Sequence, residues 1–477
     1  MKNTLFKKIL VVLAVVAVSC DGKLEPTPAN NVTADQAKKN VELLVVGAYG
    51  LVGSGAGPTG PNIQEGALYS TDLLLNADLL ASENYMAWAG TFAQYDEISA
   101  KEMSSTNSSV TRMWSKGYAA INLANTVLAN LANAPEDDQD RFKGHALFIR
   151  GIVQFELLRF WADPTQDLGI PLMTEHTESF EAIKSPSRAN IADSYAAVIS
   201  DLTQAKSLLP EDDGDLGNAF TASAFLARVY LQKGDYANAR DEANNVIENG
   251  SYSLPGSVEA AFNTSISSEA IFVIQQTTQN NAGTANDGLT TFYACDPDTP
   301  GSTGRGDVQI DEAFVSLYEP DDKRLTELIY EGTCSKATVT SGKWKNPYTN
   351  IAVIRLSEMY LVRAECNFRL GAAEGAEPID DLNKIRQKAG ASVYPHLDPD
   401  TNAEIPLTLD DILNERDLEL AFEGQRIHDY KRTHKVVTIQ TDDGPVDVDY
   451  TGDEFVFPIP QSQINTNKNI KQNTFYE

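Results

Sequence analysis

Three glutamates recur at a spacing that could do chemistry. Glu415, Glu419 and Glu423 lie four residues apart, which on one continuous helix places three carboxylates along one face. Paired carboxylates carry out glycoside hydrolysis, one donating a proton while the other attacks or activates water. The same stretch holds Arg416, Arg426 and Arg432 within helical reach. Guanidinium groups there, pairing with these carboxylates or with adjoining helices, make a structural ion network, and this is the reading the spacing favours. The five histidines show no His-Glu-x-x-His spacing, and neither a Gly-x-Ser-x-Gly elbow nor a phosphate loop occurs. Asp296-x-Asp298 near Gly301 begins like a calcium loop, but the later ligand positions and the closing glutamate do not fit. The expectation is a protein with no catalytic residue, no metal and no cofactor.

The elements that must position these residues read as helices. Thr221 to Ile247 forms two short helices joined by Lys233-Gly234-Asp235, with Leu226, Ala227, Tyr230, Gly234, Tyr236 and Ala239 at the spacing of a tetratricopeptide repeat. One such hairpin cannot bury its apolar face alone, and stable arrays need roughly three or more stacked units. Thr33-Ala-Asp-Gln36 is a capping box opening a helix through Val41, Leu44, Val45, Ala48, Tyr49 and Val52. Gly53 to about Ser108 reads as loops on a scaffold, with Tyr85, Trp88, Phe92 and Tyr95 among polar residues. Met113 to Leu131 and Phe142 to Trp161 make a second hairpin, and Ala189 to Leu202 a further helix. Ala270 to Ile274 reads as a strand, followed by a long irregular region. Helices resume over Ile354 to Leu370, Pro378 to Lys388 and Thr408 to Arg432, and Glu454 to Pro460 with the Asn-rich tail is extended.

The 477 residues are 42% hydrophobic and 22% charged, enough to bury a large core. The formal charge of −29 disfavours nucleic-acid partners and adhesion of the folded body to anionic lipid. Residues 1–19 read as a signal peptide: Lys2, Lys7 and Lys8 precede an apolar run from Ile9 to Val18 that is too short to span a bilayer. Ala17-Val18-Ser19-Cys20 resembles a bacterial lipobox, which makes Cys20 the lipidated N-terminus, with residues 20–32 as a polar, Pro-stiffened tether. Cys366 lies in a helical pattern as a small core residue. Cys295 and Cys334 share one irregular region of an exported chain, where a disulfide and two free thiols are both open.

The C-terminal third carries a resemblance. The stretch NERDLELAFEGQRIHDYKR, from Asn414 to Arg432, looks like the signature helix of the SusD/RagB family of outer-membrane nutrient-binding lipoproteins. RLSEMYLVRAECNFRLG, LNKIRQKAG, FPIPQSQINTNKNIKQN and FIRGIVQFELLRFWADP are similar to other recurrent segments of that family, as are GIPL and the Trp114-x3-Tyr118-x2-Ile121-x2-Ala124-Asn125 pattern. The resemblance implies a mainly α fold: an alpha-alpha superhelix of about four tetratricopeptide-like helix pairs with long irregular loop insertions and minor strands. Residues 33–477 would form a single domain, with an N-terminal part over about 33–250 and a C-terminal part over about 251–477. It also implies a lipid-anchored protein of the outer-membrane surface that binds a glycan and delivers it to a SusC-like TonB-dependent transporter. Trp114 and Trp161 fall in the helical segments of the resemblance and belong in the core, which leaves Trp88 and Trp344 outside the scaffold. Sugar rings stack on aromatic planes, so Tyr85, Trp88, Tyr293 and Trp344 are the expected ligand contacts. The other reading is a tetratricopeptide-type surface lipoprotein that binds peptides or scaffolds a complex.

Overall fold

The computed structural model describes residues 38–53, 66–179, 182–262, 266–278, 281–282, 286–295, 304–332, 334, 336–398, 400–441 and 443–477. The leader, Cys20, the tether, the Thr33 capping box, Asp296, Asp298 and Gly301 lie outside the described residues. Within them the helices are α1 (Val41–Gly53), α2 (Asp72–Leu80), α3 (Ala93–Ala100), α4 (Ser108–Ala129), α5 (Gln139–Trp161), α6 (Ile191–Leu208), α7 (Ala219–Lys233) and α8 (Tyr236–Asn249). They continue as α9 (Leu289–Tyr293), α10 (Glu312–Val315), α11 (Lys323–Leu328), α12 (Leu356–Leu370), α13 (Pro378–Ala389), α14 (Leu409–Glu419), α15 (Arg426–Thr433) and α16 (Gln461–Thr466). The strands are β1 (Met86–Trp88), β2 (Ala270–Ile274), β3 (Val308–Ile310), β4 (Ile329–Glu331), β5 (Val339–Ser341), β6 (Ile351–Arg355), β7 (His396–Leu397), β8 (Glu404–Ile405), β9 (Val436–Thr441) and β10 (Gly444–Asp449). They pair antiparallel, two by two, as β1 with β3, β2 with β6, β4 with β5, β7 with β8 and β9 with β10.

The protein is mainly helical, and its core is a contiguous stack. Helix α1 packs on α4, α4 on α5, α5 on α6, α6 on α7, α7 on α8, α8 on α12, and α12 on α13 and α14. Eight of these helices make four successive pairs: α1 with α4, α5 with α6, α7 with α8 and α12 with α13. Small residues allow the close approach: a Cβ at Gly151 of α5 would stand 2.9 Å from Leu202 of α6. Gly234 ends α7 at φ +79°, a left-handed conformation that costs glycine nothing, and Asp235 then caps α8 through the Asn238 N–H. Two insertions interrupt the stack, one between α1 and α4 and one between α8 and α12. Trp114 and Trp161 are buried in the core, 5.3 Å apart, and Cys366 is a buried free thiol.

Three readings of the sequence need correction. The segment taken as loops between Gly53 and Ser108 contains α2 and α3, and every residue of α2 is buried. Its Asp72, Asn76 and Asp78 mimic a polar face but bond inward, Asp72 to Arg112 at 2.7 Å, so no amphipathic period exists to be read. The single helix expected from Thr408 to Arg432 is two helices, α14 and α15, separated by Leu420 to Gln425. The tail expected to be extended opens with the short α16, and before it a β9–β10 hairpin fills residues for which the sequence offered no reading.

Asn107 joins the first insertion to the stack. Its carbonyl oxygen accepts the Ser109 and Val110 N–H groups at the start of α4, while its amide donates to Gln94 O and Glu97 of α3. Asn107→Ala is expected to lower stability by about 1–2 kcal/mol, measured by urea unfolding.

Candidate functional site

Glu415, Glu419 and Glu423 do not lie on one helix. Phe422 and Gly424 have φ of +64° and +70°, which breaks the helix after Glu419. The turn is pressed on α2: a Cβ at Gly424 would come within 2.7 Å of the Leu74 Cα, so only glycine fits. Its backbone groups are met by side chains from both insertions. The Phe422 N–H donates to the Tyr85 hydroxyl, the Gly424 N–H donates to Asp78 Oδ1 at 3.2 Å, and the Trp344 indole N–H donates to Phe422 O at 3.2 Å. The Tyr293 hydroxyl donates to Asp78 Oδ2 at 2.7 Å, and the Tyr85 ring stacks on Phe422 at 5.1 Å. Asp78 is held up at about 7 because burial penalises its charge more than the Tyr293 hydroxyl and the Gly424 N–H relieve it.

This settles the place of three of the four expected ligand aromatics. Tyr85, Tyr293 and Trp344 are 0%, 0% and 5% exposed, so their faces are covered by protein. An aromatic ring with a polar tip suits a buried turn as well as it suits a sugar, because the ring fills space and the tip satisfies the backbone. Trp344 edges a crevice of about 20 Å³, room for a single water.

The three glutamates are consumed by an ion network. Arg355, where β6 meets α12, donates from Nη1 to Glu269 at 2.9 Å and Glu419 at 3.1 Å, and from Nε and Nη2 to Glu423 at 2.8 Å each. Lys388 reaches Glu419 at 2.7 Å, Lys343 reaches Glu423 at 2.7 Å, and Arg324 and Arg386 hold Glu415 at 2.6 and 2.5 Å. The nearby arginines of the signature segment pair elsewhere: Arg416 with Glu358 and Asp429, Arg426 with Asp417, and Arg432 with Glu365 and Asp429. Burial opposes ionisation of Glu358 and Glu365, but Arg228 with Arg416 and Arg432 outweigh it and hold both carboxyls at about 2. Glu415, Glu419 and Glu423 are 1%, 3% and 7% exposed, so no substrate reaches them as a proton donor or a nucleophile.

Trp88 differs from the other three. It is half-buried on β1, where it pairs with Val308 of β3, and its ring packs on Tyr95 at 5.0 Å and Phe292 at 5.6 Å. Half-buried Phe92 stands 6.2 Å from Phe292, and the Arg305 guanidinium lies 4.9 Å over Phe92. Arg305 and Lys336, 28% and 31% exposed, converge on the buried carboxylate of Asp307. The Trp88 indole N–H is buried and has no partner among the described residues. Cys295 and Cys334 are bonded, with Cα atoms 5.6 Å apart, tying the segment that carries Phe292 to the one that carries Lys336. Aromatic rings beside fixed cationic donors can hold a polyhydroxylated ring, but among the described residues they carry no nucleophile with a base. Arg305, Asp307 and Lys336 had no signal in the sequence, since partners 29 residues apart in irregular chain follow no period.

Fold and site define a superhelix of stacked helix pairs whose insertions display a small aromatic surface. A family model described as "SusD family" matches residues 329–476, and one described as "Starch-binding associating with outer membrane" matches residues 64–231. SusD-like protein P2 of Formosa agariphila is 24% identical over 436 residues, covering 80% of this chain and 84% of that protein. The starch-binding protein SusD of Bacteroides thetaiotaomicron is 29% identical over 136 residues, 28% of this chain and 22% of that one. A solved SusD superfamily structure from Bacteroides thetaiotaomicron is 25% identical with a TM-score of 0.76, covering 91% of this chain and 99% of that one. One from Bacteroides vulgatus is 24% identical with a TM-score of 0.75, covering 92% and 99%. The chain belongs to the SusD-like family.

Arg355→Met would remove the one guanidinium shared by three buried carboxylates and is expected to cost about 3–5 kcal/mol, with Arg355→Lys failing to restore it because one ammonium cannot serve both sides of the site. Urea unfolding checks both. Glu358 and Glu365 titrate at about 2 in the fold, below the ordinary glutamate value of 4.5, so their stabilisation is complete above pH 4.5 and is lost as pH falls toward 2. The unfolding midpoint should therefore drop steeply in that window, and Glu365→Gln should make the drop shallower.

Proposed function

We propose that the protein is a cell-surface lipoprotein, anchored in the outer membrane through Cys20, that binds an oligosaccharide or polysaccharide and delivers it to a SusC-like TonB-dependent transporter. It performs no covalent chemistry on the ligand. The observation that carries this reading is the match of residues 64–231 to the family described as starch-binding and associating with the outer membrane, because that match contains the first insertion and Trp88. The partial likeness to a starch-binding protein points the same way. Neutral glycans bring no charge to be neutralised, which suits a chain of net charge −29.

The Trp88 surface is the proposed contact. A sugar would lay its C–H face against Trp88 and Phe92 and accept hydrogen bonds from Arg305 and Lys336. Aromatic contacts at a partly exposed surface give modest affinity, which favours release to a partner. Anchoring through several acyl chains on Cys20 would be durable where one chain gives marginal binding.

Calorimetry against maltoheptaose, xylohexaose, cellohexaose and mannohexaose tests the ligand and the site together. Trp88→Ala and Arg305→Ala should each weaken the wild-type interaction by about tenfold with unchanged circular dichroism, as expected for loss of a stacking or charge-assisted contact. Absence of binding to every glycan by the wild type refutes the substrate class. Full binding by both variants refutes the site alone. Labelling of cells with a radioactive fatty acid should mark the wild type and leave Cys20→Ala unlabelled.

A further inference from the structure

We infer that Arg112 and Asp287 are the positioning pair of the Trp88 surface: the bond between them holds rings from the two insertions in one arrangement, and it acts on a ligand only through those rings. The inference rests on the saccharide reading above and names what keeps that site assembled. The surface is drawn from two separate lengths of chain. Half-buried Trp88 and Phe92 and the fully buried Tyr95 belong to the first insertion, and the fully buried Phe292 of α9 to the second. The Phe292 ring stands 5.6 Å from Trp88, 5.3 Å from Tyr95 and 6.2 Å from Phe92, so it underlies all three. Pairing of β1 with β3 fixes the backbone at Trp88. Helix α9, only five residues long, is held to the first insertion at its end by the Tyr293 bond to Asp78 and just before its start by Asp287.

Arg112 stands near the start of α4 and reaches both insertions with one planar group. Its Nε and Nη2 each donate to the Asp72 carboxylate at 2.7 Å, and Nη2 also lies 3.1 Å from the Tyr95 hydroxyl. That hydroxyl donates to Asp72 Oδ1 at 3.1 Å, which fixes the Tyr95 ring from its polar tip. Nη1 donates to Asp287 Oδ2 at 2.7 Å. A guanidinium presents divergent donors in a rigid fork, so it can hold two carboxylates at once where a single ammonium cannot. Two further bonds close the same joint: the Thr71 hydroxyl donates to Asp287 O at 2.8 Å, and the Gly66 N–H donates to Asp287 Oδ2 at 2.8 Å. The burial of the three ionic partners decides which of them can be changed. Asp72 is 0% exposed and needs Arg112, whereas the Asp287 side chain is 19% exposed. Loss of the Asp287 charge therefore frees the start of α9, and with it Phe292, while Arg112 stays on Asp72 and Tyr95.

The full protein is titrated by calorimetry with maltoheptaose, xylohexaose, cellohexaose and mannohexaose. Asp287→Asn keeps the shape and removes the charge, and Arg112→Lys keeps the charge and removes the fork. Each is expected to weaken binding about fivefold to tenfold with unchanged circular dichroism, the loss of one charge-assisted contact transmitted through the rings. A pair that only stabilises the fold lowers the urea midpoint and leaves the affinity of the folded protein alone. The decisive readout is the double variant: added to Trp88→Ala, Asp287→Asn should cost less than about twofold, because the ring it positions is gone. Wild-type affinity in Asp287→Asn overturns the positioning role and leaves the saccharide reading standing, and it does so even where Arg112→Lys fails to fold. A loss that adds in full to that of Trp88→Ala overturns the role as well, since the pair then acts elsewhere. Absence of binding to all four glycans by the wild type overturns the saccharide reading and this inference with it.

Discussion

The interaction on which the rest of the structure depends is the pairing of Arg355 with Glu269, Glu419 and Glu423. Charges this deeply buried are tolerated only when each finds partners, since an isolated ion in the interior costs several kcal/mol. Completing the set takes residues from far-separated parts of the chain: Glu269 before β2, Arg324 from α11, Lys343 after β5, Arg386 and Lys388 from α13, and the three glutamates of the α14 region. The second insertion therefore cannot swing as an independent loop. It is fastened to the last helix pair by bonds that must all form together. Whether such a network stabilises more than a packed apolar core would is secondary. What it imposes is one geometry.

That geometry explains the broken helix. Glu419 closes α14 beneath Arg355, and Glu423 must approach the same guanidinium from another direction, which a continuous helix does not permit. The Phe422 and Gly424 turn supplies the change of direction, and Tyr85, Asp78 and Trp344 satisfy its exposed backbone groups. Surroundings decide the outcome for each buried carboxylate. Asp78 and Glu419 are both fully enclosed, yet Asp78 has mainly neutral donors beside it and is held up at about 7, whereas Lys388, Arg355, Arg324 and Lys343 overcome burial and hold Glu419 well below the ordinary range. As pH rises from about 4 toward 7, Asp78 opposes folding, in the sense opposite to Glu358 and Glu365.

The stack was legible because its information is local. Apolar spacing from Phe142 to Trp161 and the Leu226 to Ala239 pattern with Gly234 specify helices and a turn without reference to distant chain, and α5, α7 and α8 lie where those patterns end. The segment from Asp72 to Leu80 was illegible for the converse reason. A nine-residue helix buried on every side has no polar face, and its aspartates look solvent-facing until Arg112 is brought to them. The ion network was legible as a kind of interaction but not in its membership. Helical spacing pointed to Arg416, Arg426 and Arg432, while the partners of Glu415, Glu419 and Glu423 are set by tertiary contacts 29 to 95 residues away. The aromatics show the limit most plainly. Residue type marks Tyr85, Tyr293 and Trp344 as able to hold a ligand, and only the fold reveals that they hold the Phe422 turn instead.

Commitment of the interior charges has a consequence for the surface. The cations nearest the insertions are mostly bound to carboxylates inside, so the net charge of −29 is expressed outward. A body with that surface is repelled by anionic headgroups at distances up to about a Debye length, roughly 8 Å at physiological salt. Under the anchoring proposed above, anchor and repulsion would act in opposite directions, which would leave the half-buried Trp88 surface open to a neutral polymer that feels neither force.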